Sequence, residues 1–427
     1  MIHCRRLILS FLTCVALLLP GLANGASVFQ DIADQINAGQ TAAAAARLDD
    51  PDLTQTQRLF LQGRLAKKAG NYGDAIAAYR EVLRLSPESL LARQELAHTL
   101  LLAREYDPAA FHFRELMRLD SRPDARRTYQ AYLTRIDRDK PVGISAGFSM
   151  VPSSNVNLGT RNTVFNTPFG PFAIAEESRE SSGVGVALNV AGYFRKSFGD
   201  AMSLRLNWGL DGVYYPQNTD LSTLSANVAL AFTNQSARGK WSLTPHLRRT
   251  WQDGPQMLAY GVKFGRMGRI GDAFRYSMLF NHEIRLYDGN PGKSGPYTSA
   301  AFKLGQQINP TLSLSYGITT RFSRPEDAHR QFNEVEISAG IRKAWEGGLT
   351  TGLTLSGGYR GFLGDYPSLS QPRQDQFAKV EISVQNSRIN LAGFTPKLSC
   401  SYQVNASNVA FYDYDVTKCA LGISKNF

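Results

Sequence analysis

Two hydrophobic periods divide this chain. From Ala26 to about Lys140 the apolar positions recur three and four residues apart, the spacing of amphipathic helices. Beyond Pro141 the period becomes two. Met202, Leu204, Leu206, Trp208 and Leu210 alternate with Ser203, Arg205, Asn207, Gly209 and Asp211. Ala226, Val228, Leu230 and Phe232 alternate with Ser225, Asn227, Ala229 and Ala231. Leu312, Leu314, Tyr316 and Ile318, and Val335, Ile337, Ala339 and Ile341, repeat the arrangement. Each run is about ten residues or longer, apolar on one face and small, polar or charged on the other, as in strands with lipid on one side and a wet lumen on the other. About fourteen such segments occur, an even number as single-chain bacterial barrels require. They centre near Gly147, Leu188, Trp208, Val228, Leu243, Val262, Phe280, Phe302, Leu314, Ala339, Leu353, Val380, Tyr402 and Leu421. The pattern predicts an α-helical module followed by an all-β transmembrane barrel of about 14 antiparallel strands.

The connections alternate in length. Short turns are expected at Phe198-Gly199-Asp200, Arg269-Ile270-Gly271-Asp272, Asn309-Pro310 and Glu346-Gly347-Gly348. Longer loops are expected at Pro152 to Ser181, Asp288 to Pro296, Phe322 to Arg330 and Leu363 to Arg373. Short turns face the periplasm and long loops face outward, which puts both chain ends and the helical module on the periplasmic side. The last strand closes on Phe427, with Ile423, Leu421 and Cys419 on one face. A terminal aromatic of this kind resembles the signal that barrel-assembly machinery reads. Lys425 departs from the alternation, and near the interface a lysine snorkels. A soluble sandwich explains neither the strand length nor the terminal aromatic.

The helical part repeats itself. The stretch 'RLFLQGRLAKKAGNYGDAIAAYREVLRLSP' places Leu59, Gly63, Ala66, Tyr72, Ala75, Tyr79, Val82 and Pro87 at tetratricopeptide spacing. The pattern returns about 34 residues later at Leu96, Ala97, Leu100, Tyr106, Ala109, Phe113 and Leu116. Small Gly63, Ala75, Ala97 and Ala109 let paired helices approach, Tyr79 and Phe113 fill the seam, and Pro87 ends a helix. Val28 to Asn37 and Gln40 to Asp49 read as a degenerate upstream pair, and Asp124 to Arg138 as a closing helix, since stacked repeats need caps. Such a module is either a spacer or a peptide-binding groove. The groove, favoured here, would present Gln57, Phe60, Arg64, Lys67, Gln94 and His98 to a protein partner.

Composition narrows the compartment. The 427 residues include 23 Phe, 18 Tyr and 4 Trp, which excludes a disordered chain. After the first two dozen residues no stretch approaches the ~18 apolar residues of a spanning helix. Arg5 and Arg6 precede an apolar run from Leu7 to Leu19, and Ala23 and Gly25 supply small residues for cleavage before Ala26. Residues 1–25 thus read as a signal peptide, 26–140 as a periplasmic repeat domain and 141–427 as an outer-membrane barrel. Loss of Arg5 and Arg6 lowers the net charge from +11 to +9. Cys14 lies within the apolar run without the small-residue context of a lipid-attachment site.

Cys400 and Cys419 remain after cleavage, and in an exported chain two cysteines suggest one disulfide. A hairpin with its tip near Val409 and Ala410 places them opposite each other. Leu398, Cys400 and Tyr402 share one face, and Cys419, Leu421 and Ile423 the lipid-facing side. The alternative is two free thiols acting as small apolar residues.

Little else carries chemistry. His3, His98, His112, His246, His282 and His329 form no metal pair at helical spacing around a glutamate. No nucleophile elbow or phosphate loop occurs, so neither catalytic residues, a metal nor a cofactor is expected. Glycines such as Gly352, Gly357, Gly358, Gly361 and Gly364 fit strands and barrel curvature. The positive charge suits lipopolysaccharide phosphates or an acidic client rather than nucleic acid. Arg205, Asp211, Lys263, Glu283, Arg285, Lys303, Lys379 and Glu381 fall on the lumen parity, with both signs, and indicate a hydrated interior.

Signal peptide, short tetratricopeptide module and fourteen-stranded barrel together resemble the surface lipoprotein assembly modifier family, over the whole mature chain. The stretch 'MVPSSNVNLGT', Met150 to Thr160, looks like the family's Pro-x-Ser-Asn-x-Asn motif after the first barrel strand, with Pro152, Ser154, Asn155 and Asn157 in the matching positions. The resemblance implies an outer-membrane translocon that moves surface lipoproteins or secreted haem- and metal-acquisition proteins from periplasm to cell surface. Its other partners would be barrel-assembly machinery and outer-membrane lipid. The helical part is shorter than in some relatives. The competing class is a porin-like or exopolysaccharide-exporting barrel with attached repeats; exporters of that class carry many more repeats and a strongly one-signed lumen. A third class is a purely structural outer-membrane protein.

Overall fold

The computed structural model describes residues 24–427 except 200, 237–238, 272, 310, 346–347, 368, 387–388, 390–394 and 427. The expected signal peptide, but for Asn24 and Gly25, and the terminal Phe427 lie outside the described residues. The chain divides into two units, Met1–Lys140 and Pro141–Phe427.

The first unit is helical: α1 (Asn24–Asn37), α2 (Thr41–Ala46), α3 (Gln55–Lys68), α4 (Tyr72–Leu85), α5 (Leu90–Leu102), α6 (Tyr106–Leu119) and α7 (Pro123–Asp139). Local chemistry sets the boundaries. Thr54 and Gln57 form a reciprocal cap at the start of α3: Thr54 Oγ1 accepts the Gln57 N–H at 3.2 Å and Gln57 Oε1 the Thr54 N–H at 2.9 Å. Ser89 caps α5, and Pro123 opens α7, where its missing N–H has no intrahelical partner to lose. Tyr79, Leu96, Ala97, Leu100, Phe113 and Leu116 form one buried core. A Cβ on Gly63 would stand 2.7 Å from the Tyr79 ring, so a bare Cα is what lets α3 close on α4. At the α6–α7 junction the Asp120 carboxylate accepts from Arg122 and from the Tyr129 hydroxyl at 2.8 Å. The Arg122 guanidinium and backbone N–H hold that carboxyl far below the usual carboxylate range. These helix pairs are compatible with the expected repeats.

The second unit is a closed barrel of fourteen antiparallel strands. They are β1 (Val142–Ser153), β4 (Gly183–Phe198), β5 (Met202–Tyr214), β6 (Thr223–Ser236), β7 (Gly239–Trp251), β8 (Pro255–Ile270), β9 (Phe274–Tyr287), β10 (Gly295–Asn309), β11 (Leu312–Ser323), β12 (Phe332–Ala344), β13 (Leu349–Asp365), β14 (Pro372–Asn386), β15 (Thr395–Ser407) and β16 (Tyr414–Asn426). A small hairpin, β2 (Val164–Thr167) with β3 (Gly170–Ala173), occupies the long β1–β4 connection. Each barrel strand pairs with its sequence neighbour, and β1 pairs with both β4 and β16. All fourteen centres read from the sequence fall on these strands. The outward row is apolar and open: Leu188, Ile337 and Leu421 are 58%, 63% and 57% exposed. A soluble protein would bury this row; a hydrocarbon solvent favours it outside. No helix among the described residues is long and apolar enough to cross a membrane.

Both ends of the barrel chain lie at the rim that carries the short turns. Two connections break the simple alternation: 387–394 is longer than the other turns of that rim, and 252–254 is a tight turn at the opposite one. The tight turn is possible because Asp253 and Gly254 take φ of 48° and 99°, left-handed values that glycine adopts without strain.

Cys400 on β15 and Cys419 on β16 are registered opposite each other, 4.0 Å apart at Cα, and joined by a disulfide. That separation belongs to the narrow, non-hydrogen-bonded pairs of an antiparallel ladder, the ones whose side chains approach closely enough to bridge. Alkylation of the native protein without reductant should therefore label neither cysteine. Replacing both by serine should cost about 2–4 kcal/mol of stability. Quantitative labelling of both thiols by mass analysis would reject the bond.

Candidate functional site in the barrel lumen and at its outer rim

The period of two sends every second residue inward, and the register stacks those residues into two carboxylate-centred clusters in the half of the lumen away from the short turns. In the first, Glu283 on β9 is 4% exposed; it accepts from Arg285 Nε at 2.7 Å and Asn281 Nδ2 at 3.3 Å, and pairs with His246 Nε2 at 3.0 Å. Arg248 stands 3.7 Å away. In the second, Glu334 on β12 lies between Arg321 on β11 and Arg360 on β13, the latter donating from Nε at 2.5 Å. Arg321 also reaches Glu336 at 2.7 Å. Asp375 on β14, fully buried, takes two bonds from Arg373, at 2.6 and 2.8 Å, and lies 3.6 Å from Arg360. Arg373 stacks 3.2 Å from the Tyr412 ring centroid and Arg285 3.5 Å from that of Tyr297. Buried carboxylates persist here because each is paired with guanidinium donors.

The half nearer the short turns differs. A cavity of 460 Å³ there is lined by Arg275, Arg342, Lys397 and neutral groups such as Gln307, Thr354 and Gln385, with no carboxylate. Arg205 lies over the Tyr193 ring at 3.7 Å, with Arg195 and Lys240 as electrostatic neighbours. Among the described residues the lumen is thus basic at the end where the chain enters and charge-paired farther in. A lumen so lined has the polarity to solvate polypeptide or another polar polymer. The described residues contain no group of three or more metal-capable side chains.

The outer rim is organised by the Pro152–Thr160 stretch. Asn155 is fully buried; its Nδ2 donates to the Gly159 carbonyl at 2.8 Å and the Asp415 carbonyl at 3.1 Å, and its Oδ1 accepts the Gly159 N–H at 2.9 Å. Asn157 donates to the Arg179 carbonyl at 2.7 Å and accepts the Ser181 N–H at 3.1 Å. Ser154 donates its N–H to the Thr417 carbonyl at 2.9 Å, and its Oγ accepts the Thr417 N–H at 2.9 Å. Each amide donates twice from its nitrogen and accepts at its oxygen, a set that no single hydroxyl offers, which suits asparagine at both positions. Arg161 pairs with Asp415 at 2.8 Å and Glu180 at 3.0 Å. Phe165 of β2, Tyr366 and Phe411 pack into an apolar cluster from three loops. Pro152 lies at the upper end of β1.

The eight charged positions read as lumen-facing occupy the row alternate to the apolar one. Glu283 with Arg285 and Lys379 with Glu381, at 2.9 Å, are brought together. Asp211, Lys263 and Lys303 make no ion pair among the described residues. The second cluster was not legible, because Arg321, Glu334, Glu336 and Arg360 meet one another and the Arg373–Asp375 pair of β14 only through register; their common parity was the available signal.

One residue of the expected groove on the helical unit, Phe60, is corrected. Phe60 is 5% exposed and packs between Phe29 and Tyr79, so it is core. Gln57 is used in the α3 cap, Arg64 donates to Asn37, and Lys67 pairs with Glu95 at 2.7 Å. Gln94 donates to Tyr129, and His98 meets Tyr132 edge-on at 5.7 Å. Arg64, Lys67, Gln94 and His98 thus reach from α3 to α1, from α3 to α5 and from α5 to α7. Reversing the charge of Lys67 would set two carboxylates against each other and unsettle the module.

A family model described as surface lipoprotein assembly modifier matches residues 143–427. Surface lipoprotein assembly modifier 1 of Haemophilus influenzae is 22% identical over 370 residues, covering 84% of this chain and 76% of that protein. Surface lipoprotein assembly modifier 1 of Neisseria meningitidis serogroup B is 22% identical over 387 residues, covering 86% and 75%. Among solved structures, Salmonella typhi OmpF in complex with daunomycin is 8% identical, covers 67% of this chain and 97% of that one, and has a TM-score of 0.39.

Proposed function

The chain belongs to the surface lipoprotein assembly modifier family, and from that premise we propose that its barrel is a translocon carrying particular lipoproteins from periplasm to cell surface. The observation that carries this reading is the polar, two-ended lumen inside an apolar outer wall. Cations at the entry rim favour a polypeptide with acidic segments, and the paired clusters farther in keep the passage hydrated without holding one sign of charge. Secreted haem- or metal-binding proteins extend the same client class. The helical unit is assigned to the periplasm. Assembly would depend on barrel-assembly machinery, and the apolar belt on outer-membrane lipid and lipopolysaccharide. An exopolysaccharide exporter is the second reading; the mixed signs of the outer half of the lumen speak against it.

A lipoprotein client sets a physical problem. Taking each buried CH₂ of an acyl chain into water costs about 0.8 kcal/mol, so the lipid anchor is excluded from a lumen lined with arginine and glutamate.

Deleting the gene should strand an exported lipoprotein in the periplasm while its synthesis and acylation continue. Protease shaving of intact cells, followed by immunoblotting, reads the result. Unchanged display of every surface lipoprotein, with altered polysaccharide export, would replace this reading by the exporter.

A further inference from the structure

Thirteen of the fourteen strand contacts in the barrel wall join strands that are neighbours in sequence. The contact between β1 and β16 is different, because no turn links the two strands. Its ladder runs from Ser145↔Asn426 to Met150↔Leu421, resumes at Ser153↔Lys418, and has no registered partners at Val151 and Pro152. The register explains the break. Ser154 sends its N–H to Thr417 on β16. Alternate residues of an antiparallel strand point the same way, so the residue two places earlier should donate to Cys419. That residue is Pro152, which has no N–H.

Side chains do not compensate. The lumen face of this contact is built from Gly147, Ser149 and Val151 on β1 and Ala420 and Gly422 on β16. Among the described residues, no side-chain hydrogen bond, ion pair or ring contact crosses it below Ser153. The outer face carries Phe148, Met150 and Leu421, which are 42%, 49% and 57% exposed to the apolar side. Pro245 leaves a similar break between β6 and β7. There the strands share a turn, a Ser225–Thr250 hydroxyl bond of 3.1 Å and a Phe232–Trp241 contact.

Two features confine any parting to this line. The disulfide fastens Cys419 to β15, on the other flank of β16, so β16 separates from β1 and not from β15. Above the break, Ser154, Asn155 and Arg161 latch the loop to Thr417 and Asp415.

We propose that the β1–β16 contact is a slit through which the acyl anchor of a lipoprotein crosses between leaflets while the polypeptide occupies the lumen. The proposal rests on the translocon reading and adds a second activity to it: transbilayer movement of an acylated amino-terminal cysteine. The chains stay in hydrocarbon along the Phe148–Met150–Leu421 face, and the small residues on the inner face let the peptide stem of the anchor pass.

The test uses the full chain in phospholipid vesicles containing a fluorescent triacylated lipopeptide. A quenching antibody against the fluorophore, too large for the lumen, reports the outer-leaflet share. Wild-type protein should let the quenched fraction grow from that share towards the whole. The pair Ser149→Cys with Gly422→Cys seals the contact, since a Cβ on Gly422 would lie 3.1 Å from that of Ser149. Once oxidised, it should bring movement down to the rate of protein-free vesicles. Ser315→Cys with Gly340→Cys, the same kind of lumen pair between β11 and β12, should not. Pro152→Ala, which restores the N–H, should slow movement, and Pro245→Ala should leave it unchanged. No movement with wild type, or equal effects of the two cross-links, overturns the slit. If gene deletion still abolishes surface display in that event, the translocon stands and the anchor takes another route. If deletion leaves display intact, the translocon reading itself has failed.

Discussion

Replacing Arg360 with alanine is expected to destabilise the barrel by about 3–5 kcal/mol. Arg360 bridges three strands: its own β13, β12 through Glu334, and β14 through Asp375. Glu334 and Asp375 are 5% and 0% exposed, so neither can recover its lost partner from water. Glu334 would keep Arg321, a donor it already shares with Glu336. The temperature at which the compact, unboiled form disappears on a denaturing gel gives the measurement. Adding Glu334→Gln to the alanine variant should recover part of the loss, because it removes the charge that was left unpaired. An alanine variant as heat-resistant as wild type would show that the cluster is hydrated rather than structural.

Tyr79→Ala should be the most damaging single change in the helical unit. The ring is fully buried, meets Phe60 at 5.7 Å and fills the space above Gly63. Large aromatic-to-alanine changes in a core cost about 3–5 kcal/mol, a large share of the 5–15 kcal/mol that holds a typical domain together. The helical melting transition, followed by circular dichroism at a helix wavelength, should fall by at least about 12 °C. Tyr79→Phe separates packing from polarity. The Tyr79 hydroxyl is buried without a hydrogen-bond partner among the described residues, so deleting it should be neutral or stabilising. A phenylalanine variant as unstable as the alanine one would mean that the hydroxyl, not the ring, matters.

Much of this architecture was legible because it depends on periodicity alone. Every barrel centre was recoverable, since a lipid-facing row must be apolar whatever its neighbours are. Cys400 and Cys419 could be set opposite each other because a hairpin register follows from its tip. The groove on the helical unit was misread at Phe60 for an equally physical reason. Helical spacing says which residues share a face, not which neighbouring helix covers that face. Phe29 of α1, outside the clear repeats, is part of what covers it.

The sequence by itself determined the two periods, the strand count, the small-residue approach at Gly63 and the inward parity of the charged residues. Each is a property of a few consecutive positions under one solvent boundary. Only the tertiary structure decided which arginine meets which carboxylate, that Asn155 reaches across to Asp415, and that Pro152 faces Cys419 where a donor is missing. The arginine–carboxylate bridges of Glu334 and Arg360 join neighbouring strands, while Asn155 with Asp415, and Pro152 with Cys419, join the first and last strands of the barrel. Their register is set by closure of the whole sheet, and no local spacing encodes it.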